Sequence, residues 1–237
     1  FFQTSLEGLA EHNDFIRGAG HFDRVMTFLP ILRDLGISST IMLTLTRDNM
    51  DQVIPLAETL EGKVDHFTFN RLSPVGEGAA LALPDPAAYR AFLGRYVDAA
   101  KRLKVAGYKD NLINVELTAR TLSPFGGCTG FGCGAAFNFV ALLPDGQVHA
   151  CRKYPSPIGD IRRSTLGDIY DGSDAARYRR RPDACRNCVL ATHCGGCRAI
   201  TSGLGLNQDT DRDPFCFTPS VDQGNPANNV AATEFLS

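Results

Sequence analysis

Cys185, Cys188, Cys194 and Cys197 stand in the pattern C-x2-C-x5-C-x2-C, and Cys128, Cys133, Cys151 and Cys216 lie on either side of them. The first 127 residues hold no cysteine at all. Thiolates are soft ligands, suited to zinc, copper(I) or iron–sulfur clusters. The two C-x2-C pairs alone would suit tetrahedral zinc. Eight thiols are also enough for two four-cysteine clusters. Histidine, the usual co-ligand of zinc, is scarce: of five, only His193 sits inside the run, and beside Cys194 it reads as a surface or supporting residue. An even count allows disulfides, but those belong to short secreted domains with little core. The opening "FFQTSLEG" has neither the basic region nor the cleavage site of a signal peptide. Iron–sulfur is the favoured reading, ahead of zinc and then disulfides.

Whether the run serves one site or two follows less directly. A loop readily converges three neighbouring thiols, and ferredoxin-type runs send their fourth cysteine to another cluster. Cys197 could leave the run in the same way. Gly195 and Gly196 would allow close backbone approach to a sulfide and offer unhindered N–H donors.

Other parts of the chain must position these thiols. The 237 residues are 43% hydrophobic, enough for a core, and contain no apolar run of membrane-spanning length. A net charge of −2 gives no overall basic footprint for nucleic acid. The run Arg177, Arg179, Arg180, Arg181 reads as a solvated helix end. The first hundred residues alternate strands and helices. "FFQTSLEG", "ISSTIMLTLT" and "DHFTFNRL" read as strands. Between and after them, Phe22 to Leu35, Met50 to Leu60 and Pro86 to Leu103 carry apolar residues at helical spacing. Pro30 should kink the first of these helices or restart its first turn. This alternation implies parallel strands with crossover helices. Three units are too few for a closed barrel of eight, but suit half of a six-unit partial barrel. After about residue 118 cysteines and glycines take over. "FNFVALLPDGQVHAC" reads as a hairpin about Pro144-Asp145-Gly146, and a short helix is expected around Leu166–Tyr170. A start without Met, on a strand-like run, suggests part of a longer protein.

The cysteine series, with Gly146 to Cys151 as G-x4-C, resembles the SPASM domain, the auxiliary-cluster domain of radical S-adenosylmethionine (SAM) enzymes that modify peptides. "SLEG…NDFIRG" resembles the barrel segment written S-L-D-G…H-D-x-I-R-G, and "FNRLSPVGEG" resembles R-x-x-P-x-G-x-G. The resemblance covers about residues 3–217. It implies an α/β fold: the C-terminal half of a partial (β/α)6 radical SAM barrel over 1–118, a cysteine-rich SPASM domain with a hairpin and short helices over 119–220, and a tail over 221–237. It implies two auxiliary [4Fe–4S] clusters, one on Cys128, Cys133, Cys151 and Cys197, the other on Cys185, Cys188, Cys194 and Cys216. It also implies SAM contacts near Ser5, Thr44, Thr46, Asn70, Arg71 and Leu72. Expected partners are a ribosomally made peptide and a reductant such as a ferredoxin or flavodoxin, in the cytoplasm, with no nucleic acid and no membrane.

Three departures bear on this. The last gap of the run is x2 where the family usually has x3. Arg152 follows Cys151 where the side-chain-oxidising branch places an Asp. The C-x3-C-x2-C that binds the SAM-cleaving cluster is absent. The full-length parent, with SAM and that third [4Fe–4S] cluster, is expected to be an enzyme, and the piece alone to be inactive. The alternatives are a non-catalytic electron-transfer or peptide-binding module, or a zinc-binding structural domain.

Overall fold

The computed structural model describes residues 1–127 and 130–218. Cys128 and the expected tail over 221–237 lie outside the described residues. The described residues divide into two compact units, one of 1–72 with 81–110, the other of 73–80 with 111–127 and 130–218. The division expected after residue 118 falls within a helix, Ile113–Ala119, that belongs wholly to the second unit.

In the first unit β1 (Phe2–Ser5), β2 (Ser39–Leu45) and β3 (His66–Arg71) form a parallel sheet in the order β1-β2-β3. Phe67 extends the ladder to a further segment, taking its N–H to Val105 O at 2.7 Å and receiving the Gly107 N–H on its carbonyl at 2.8 Å. The connections carry α1 (Ala10–Arg17) and α2 (His21–Asp34) before β2, and α3 (Val53–Leu60) before β3. α4 (Pro86–Ala100) follows β3.

α4 shows why these sequences fold as they do. Asp85 caps it, accepting the Ala87 and Ala88 N–H groups, and Pro86 occupies the first turn where its missing N–H costs nothing. Tyr89, Phe92, Leu93, Tyr96 and Val97 bury one face. Phe69 of β3 meets Phe92 and Tyr96 edge-on at 5.4 and 4.9 Å between ring centroids.

Two sequence expectations shift in the helices. α2 begins at His21 and runs through Pro30, so the proline lies in the helix interior and no new helix starts there. Val25, Leu29 and Leu32 anchor that helix to the core, which offsets the backbone bond that Pro30 cannot donate. The segment from Met50 opens as a tighter 3-10 turn, Met50–Gln52, before α3 begins. Within α3, Leu56 lies in the core with Val53, Ala57 and Leu60, while Ile54 is half-buried.

The second unit contains α5 (Ile113–Ala119) and a three-stranded antiparallel sheet of β4 (Ala141–Leu142), β5 (Gln147–His149) and β6 (Pro157–Asp160). The hairpin turns at Pro144-Asp145-Gly146 as expected, with Leu143 N–H on Gln147 O at 2.9 Å. α6 (Leu166–Asp171), α7 (Ser173–Arg179) and α8 (Arg198–Gly203) follow. α6 opens on a capping box: Thr165 accepts the Asp168 N–H and Asp168 answers to the Thr165 N–H. Val148, Ala150, Tyr154, Ile158, Ile169, Ala175, Tyr178 and Ala199 form the core of this unit.

An ion pair lies inside the first unit. Arg71, 1% exposed, donates Nε–H to Asp110 Oδ2 at 2.7 Å and sits over the Tyr89 ring. Removing one partner of such a pair leaves the other charge buried without it. Asp110→Ala is therefore expected to destabilise the chain by about 3–5 kcal/mol, measured by urea denaturation. Arg71→Met with Asp110→Leu together should cost less than Asp110→Ala alone.

Candidate metal centres

The thiol run sits on irregular backbone between α7 and α8, so side chains and short turns must hold it in place. After α7, Pro182 leads into a 3-10 turn at Asp183–Cys185. Asp183 and Ala184 donate their N–H groups to the carbonyls of Asp209 and Thr210 at 2.9 and 3.0 Å. Cys188 N–H returns to Cys185 O, and Cys194 N–H to Leu190 O. Cys216 arrives on a separate turn, with its N–H on Asp213 O at 2.9 Å.

These turns bring Cys185, Cys188, Cys194 and Cys216 to the wall of one cavity, with Gly195, Gly196, Arg212 and Asp213 among the other residues lining it. Cys197 is not among them. It packs instead with Cys133 against the buried core that contains Cys151. The x2 gap divides the two neighbours. Gly195 and Gly196 take φ of +75° and +64°, left-handed values that a side chain would strain. Two such residues in succession turn the chain sharply before α8 starts at Arg198. Gly196 N–H also points at Cys194 Sγ, at 3.4 Å.

Cys151 occupies the connection between β5 and β6. Ser156, fully buried, closes that loop: its hydroxyl accepts the Cys151 N–H and lies 3.0 Å from Cys151 O. Lys153 follows, with its N–H 3.5 Å from Cys151 Sγ and its Nζ 4.0 Å from Cys197 Sγ. Burial pushes the Cys151 and Cys185 thiols upward from their ordinary pKa. Ligation of a metal at either would release a proton.

The seven described cysteines are free thiols, which sets the disulfide reading aside for them. Among the described residues no three His, Cys, Asp or Glu side chains stand at the spacing of ligands to a single ion. The four thiols of the cavity line its wall without meeting at a point. Soft donors around a hollow, with a backbone N–H aimed at one sulfur, are a donor set that fits an iron–sulfur cluster.

Several residues that hold this site carried no legible signal. Asn111 and Asn114 donate their side-chain amides to Gly196 O at 2.8 Å and His193 O at 2.7 Å, on either side of the Cys194 turn. Arg198, buried at the start of α8, pairs with Asp209 at 2.6 Å and reaches the Arg180 carbonyl. Each joins positions far apart in sequence, so no local spacing reveals it. The arginine run is only in part the solvated helix end expected: Arg177 and Arg180 are exposed, while Arg179 and Arg181 are half-buried. Arg179 donates to the carbonyls of Ala136 and Tyr170. Arg181 donates to those of Phe131, Ala191 and Thr192, and so ties the segment before Cys133 to the turn before Cys194. That segment passes so close that a Cβ on Gly132 would collide with the Cys194 carbonyl oxygen.

In the first unit, Ser5, Thr44 and Asn70 lie at the carboxyl ends of parallel strands, the edge where open α/β sheets bind ligands. Thr44 and Asn70 face each other in register. Thr46 is buried just beyond β2, with its N–H on Asn49 Oδ1 at 2.8 Å. Arg71 and Leu72 are both buried, and the Arg71 guanidinium is engaged with Asp110 in the core. The same edge carries a polar network centred on Glu7. Glu7 accepts the Thr44 N–H at 2.8 Å and pairs with Arg17, while Asn13 accepts the Glu7 N–H. Asp14 braces the following turn through the N–H groups of Gly20 and Phe22, which hold its carboxyl below the usual pKa.

Arg181→Ala should cost about 1–3 kcal/mol, the penalty of leaving partly buried acceptors without a donor. Arg181→Lys should recover only part of it, because an ammonium cannot reproduce the planar fork that reaches three carbonyls. Urea denaturation of the two variants beside the parent chain measures both effects.

Residues 133–189 match the SPASM family, described as an iron–sulfur cluster-binding domain. The chain is 30% identical to the mycofactocin maturase MftC of Mycolicibacterium smegmatis, over 90% of this chain and 56% of that protein. It is 25% identical to the AdoMet-dependent heme synthase of Methanosarcina barkeri, over 90% of this chain and 66% of that protein. The chain thus spans about half to two thirds of the length of the curated relatives it matches. The crystal structure of Streptococcus suis SuiB bound to precursor peptide SuiA shares the fold, with a TM-score of 0.63 at 20% identity, over 91% of this chain and 53% of that one. Residues 133–189 thus carry a match to an iron–sulfur cluster-binding domain, in a chain similar over nine tenths of its length to an AdoMet-dependent heme synthase and a mycofactocin maturase.

Proposed function

We propose that this chain is part of a radical SAM enzyme that modifies a ribosomally made peptide, and that its cysteines hold two auxiliary [4Fe–4S] clusters. One set is Cys185, Cys188, Cys194 and Cys216. The other is Cys133, Cys151 and Cys197 with Cys128, which lies outside the described residues. The observation that carries this reading is the sorting of the run: Cys194 lines the cavity with Cys216, while Cys197 packs with Cys133 and Cys151. When bound, such clusters supply one-electron transfer at thiolate-held iron, tuned by the charges and hydrogen bonds around them.

The chain's own residues supply the rest. Gly196 donates an N–H toward Cys194 Sγ, Lys153 brings a cation to Cys197, and the core around Tyr154 and Tyr178 excludes water from Cys151. In the first unit the polar strand ends at Ser5, Thr44, Thr46 and Asn70, with the backbone of Arg71 and Leu72, are the proposed SAM-facing edge. SAM and a third cluster act in the full-length protein, with a reductant such as a ferredoxin or flavodoxin. No helix among the described residues is long and apolar enough to cross a membrane. The proposed location is the cytoplasm.

The peptide as substrate is supported by the similarity to the mycofactocin maturase and by the fold shared with a protein solved with its precursor peptide. A second reading rests on the similarity to AdoMet-dependent heme synthases: the same clusters beside a heme-type substrate. Binding of a candidate precursor peptide and of a heme precursor to the same preparation separates the two.

Anaerobic reconstitution should load about eight irons per chain, four for each cluster. Cys216→Ala and Cys151→Ala should each lower that to about four, because they remove ligands of different clusters. Iron and sulfide analysis reads the result. Fewer than four irons in the parent chain, with stoichiometric zinc, contradicts the reading.

A further inference from the structure

Asp213 is 3% exposed and lines the cavity with Cys185, Cys188, Cys194 and Cys216. Its contacts are not confined to that side. Oδ2 accepts the N–H of Cys197 at 2.8 Å, and Oδ1 accepts the N–H of Phe215 at 3.0 Å. Its own carbonyl accepts the Cys216 N–H at 2.9 Å. The carboxylate thus holds Cys197, of one cysteine set, and the turn that delivers Cys216, of the other. The seat is shaped for it: a Cβ on Gly196 would fall 2.5 Å from the Asp213 Cβ. Arg212 is the other charged residue on the cavity wall, and its guanidinium reaches the Thr218 carbonyl at 2.9 Å.

We propose that Asp213 is a positioning residue shared by both metal sites, fixing Cys197 and Cys216 in one set of hydrogen bonds and placing a buried negative charge that lowers the reduction potential of both clusters. The inference rests on the two-cluster reading above. Its physical basis is that cluster potentials respond to net charge and to nearby hydrogen bonds, and a buried charge is weakly screened by solvent.

Asp213→Asn keeps the shape and one acceptor oxygen but removes the charge. Asp213→Ala removes both acceptors. The test is an EPR-monitored redox titration of the reconstituted chain, with Cys151→Ala and Cys216→Ala assigning the two signals. Asp213→Asn should retain iron near the parent content. Both of its clusters should become easier to reduce, by about tenfold in the one-electron equilibrium, or about 59 mV. Asp213→Ala should lose iron from both sites. If Asp213→Asn leaves either potential where it was, the shared role is overturned. If Asp213→Ala keeps its full iron, the positioning role is overturned. A parent chain that takes up no iron overturns the two-cluster reading itself, and the distinction is visible before any variant is made.

Discussion

The constraint on which the second unit depends is the turn at Gly195 and Gly196. Cys194 and Cys197 are three positions apart, and α8 begins immediately after them. The chain has only two residues in which to separate them. Two successive left-handed residues redirect it, so that one thiol lines the cavity and the next joins a separate core. Glycine adopts those angles at no steric cost. The shortened gap is thus not a defect in the cysteine series. It is the geometry that divides the run.

A turn this tight leaves backbone groups that no helix or strand can satisfy, and buried polar groups without partners are costly. The second unit answers with long side chains and amides. Asn111, Asn114 and Arg181 take the carbonyls of Gly196, His193, Ala191 and Thr192, and Arg198 gathers the carbonyls of Arg180 and Gln208. Regular structure is scarce here, so these bonds do what a ladder does elsewhere. The first unit is built on the opposite principle. Its parallel strands satisfy one another, and aromatic rings on α4 and β3 fill the interior.

That contrast explains what could be read from the sequence. β2, β3 and α4 were legible because burial on a regular element imposes a period, and "TIMLTL" and the Tyr89-to-Val97 face carry it. α1, α5 and α8 were not read, although the equally short α3 and α6 were. The thiols were legible because their spacing is short-range and their chemistry narrow. Their supports were not. Asn111 meets Gly196, and Asn114 meets His193, across distances that no pattern in one sequence marks. Arg181 shows the cost of a general rule: arginines in a run usually face water, yet this one binds three carbonyls beside the thiol run.

The central claim is that Cys194 and Cys197 serve different metal centres. Anomalous X-ray scattering at the iron edge, from crystals of the anaerobically reconstituted chain, tests it most directly. The account predicts two separate iron centres, one bounded by Cys185, Cys188, Cys194 and Cys216, the other by Cys133, Cys151 and Cys197. A single centre holding all four cysteines of the run would contradict it.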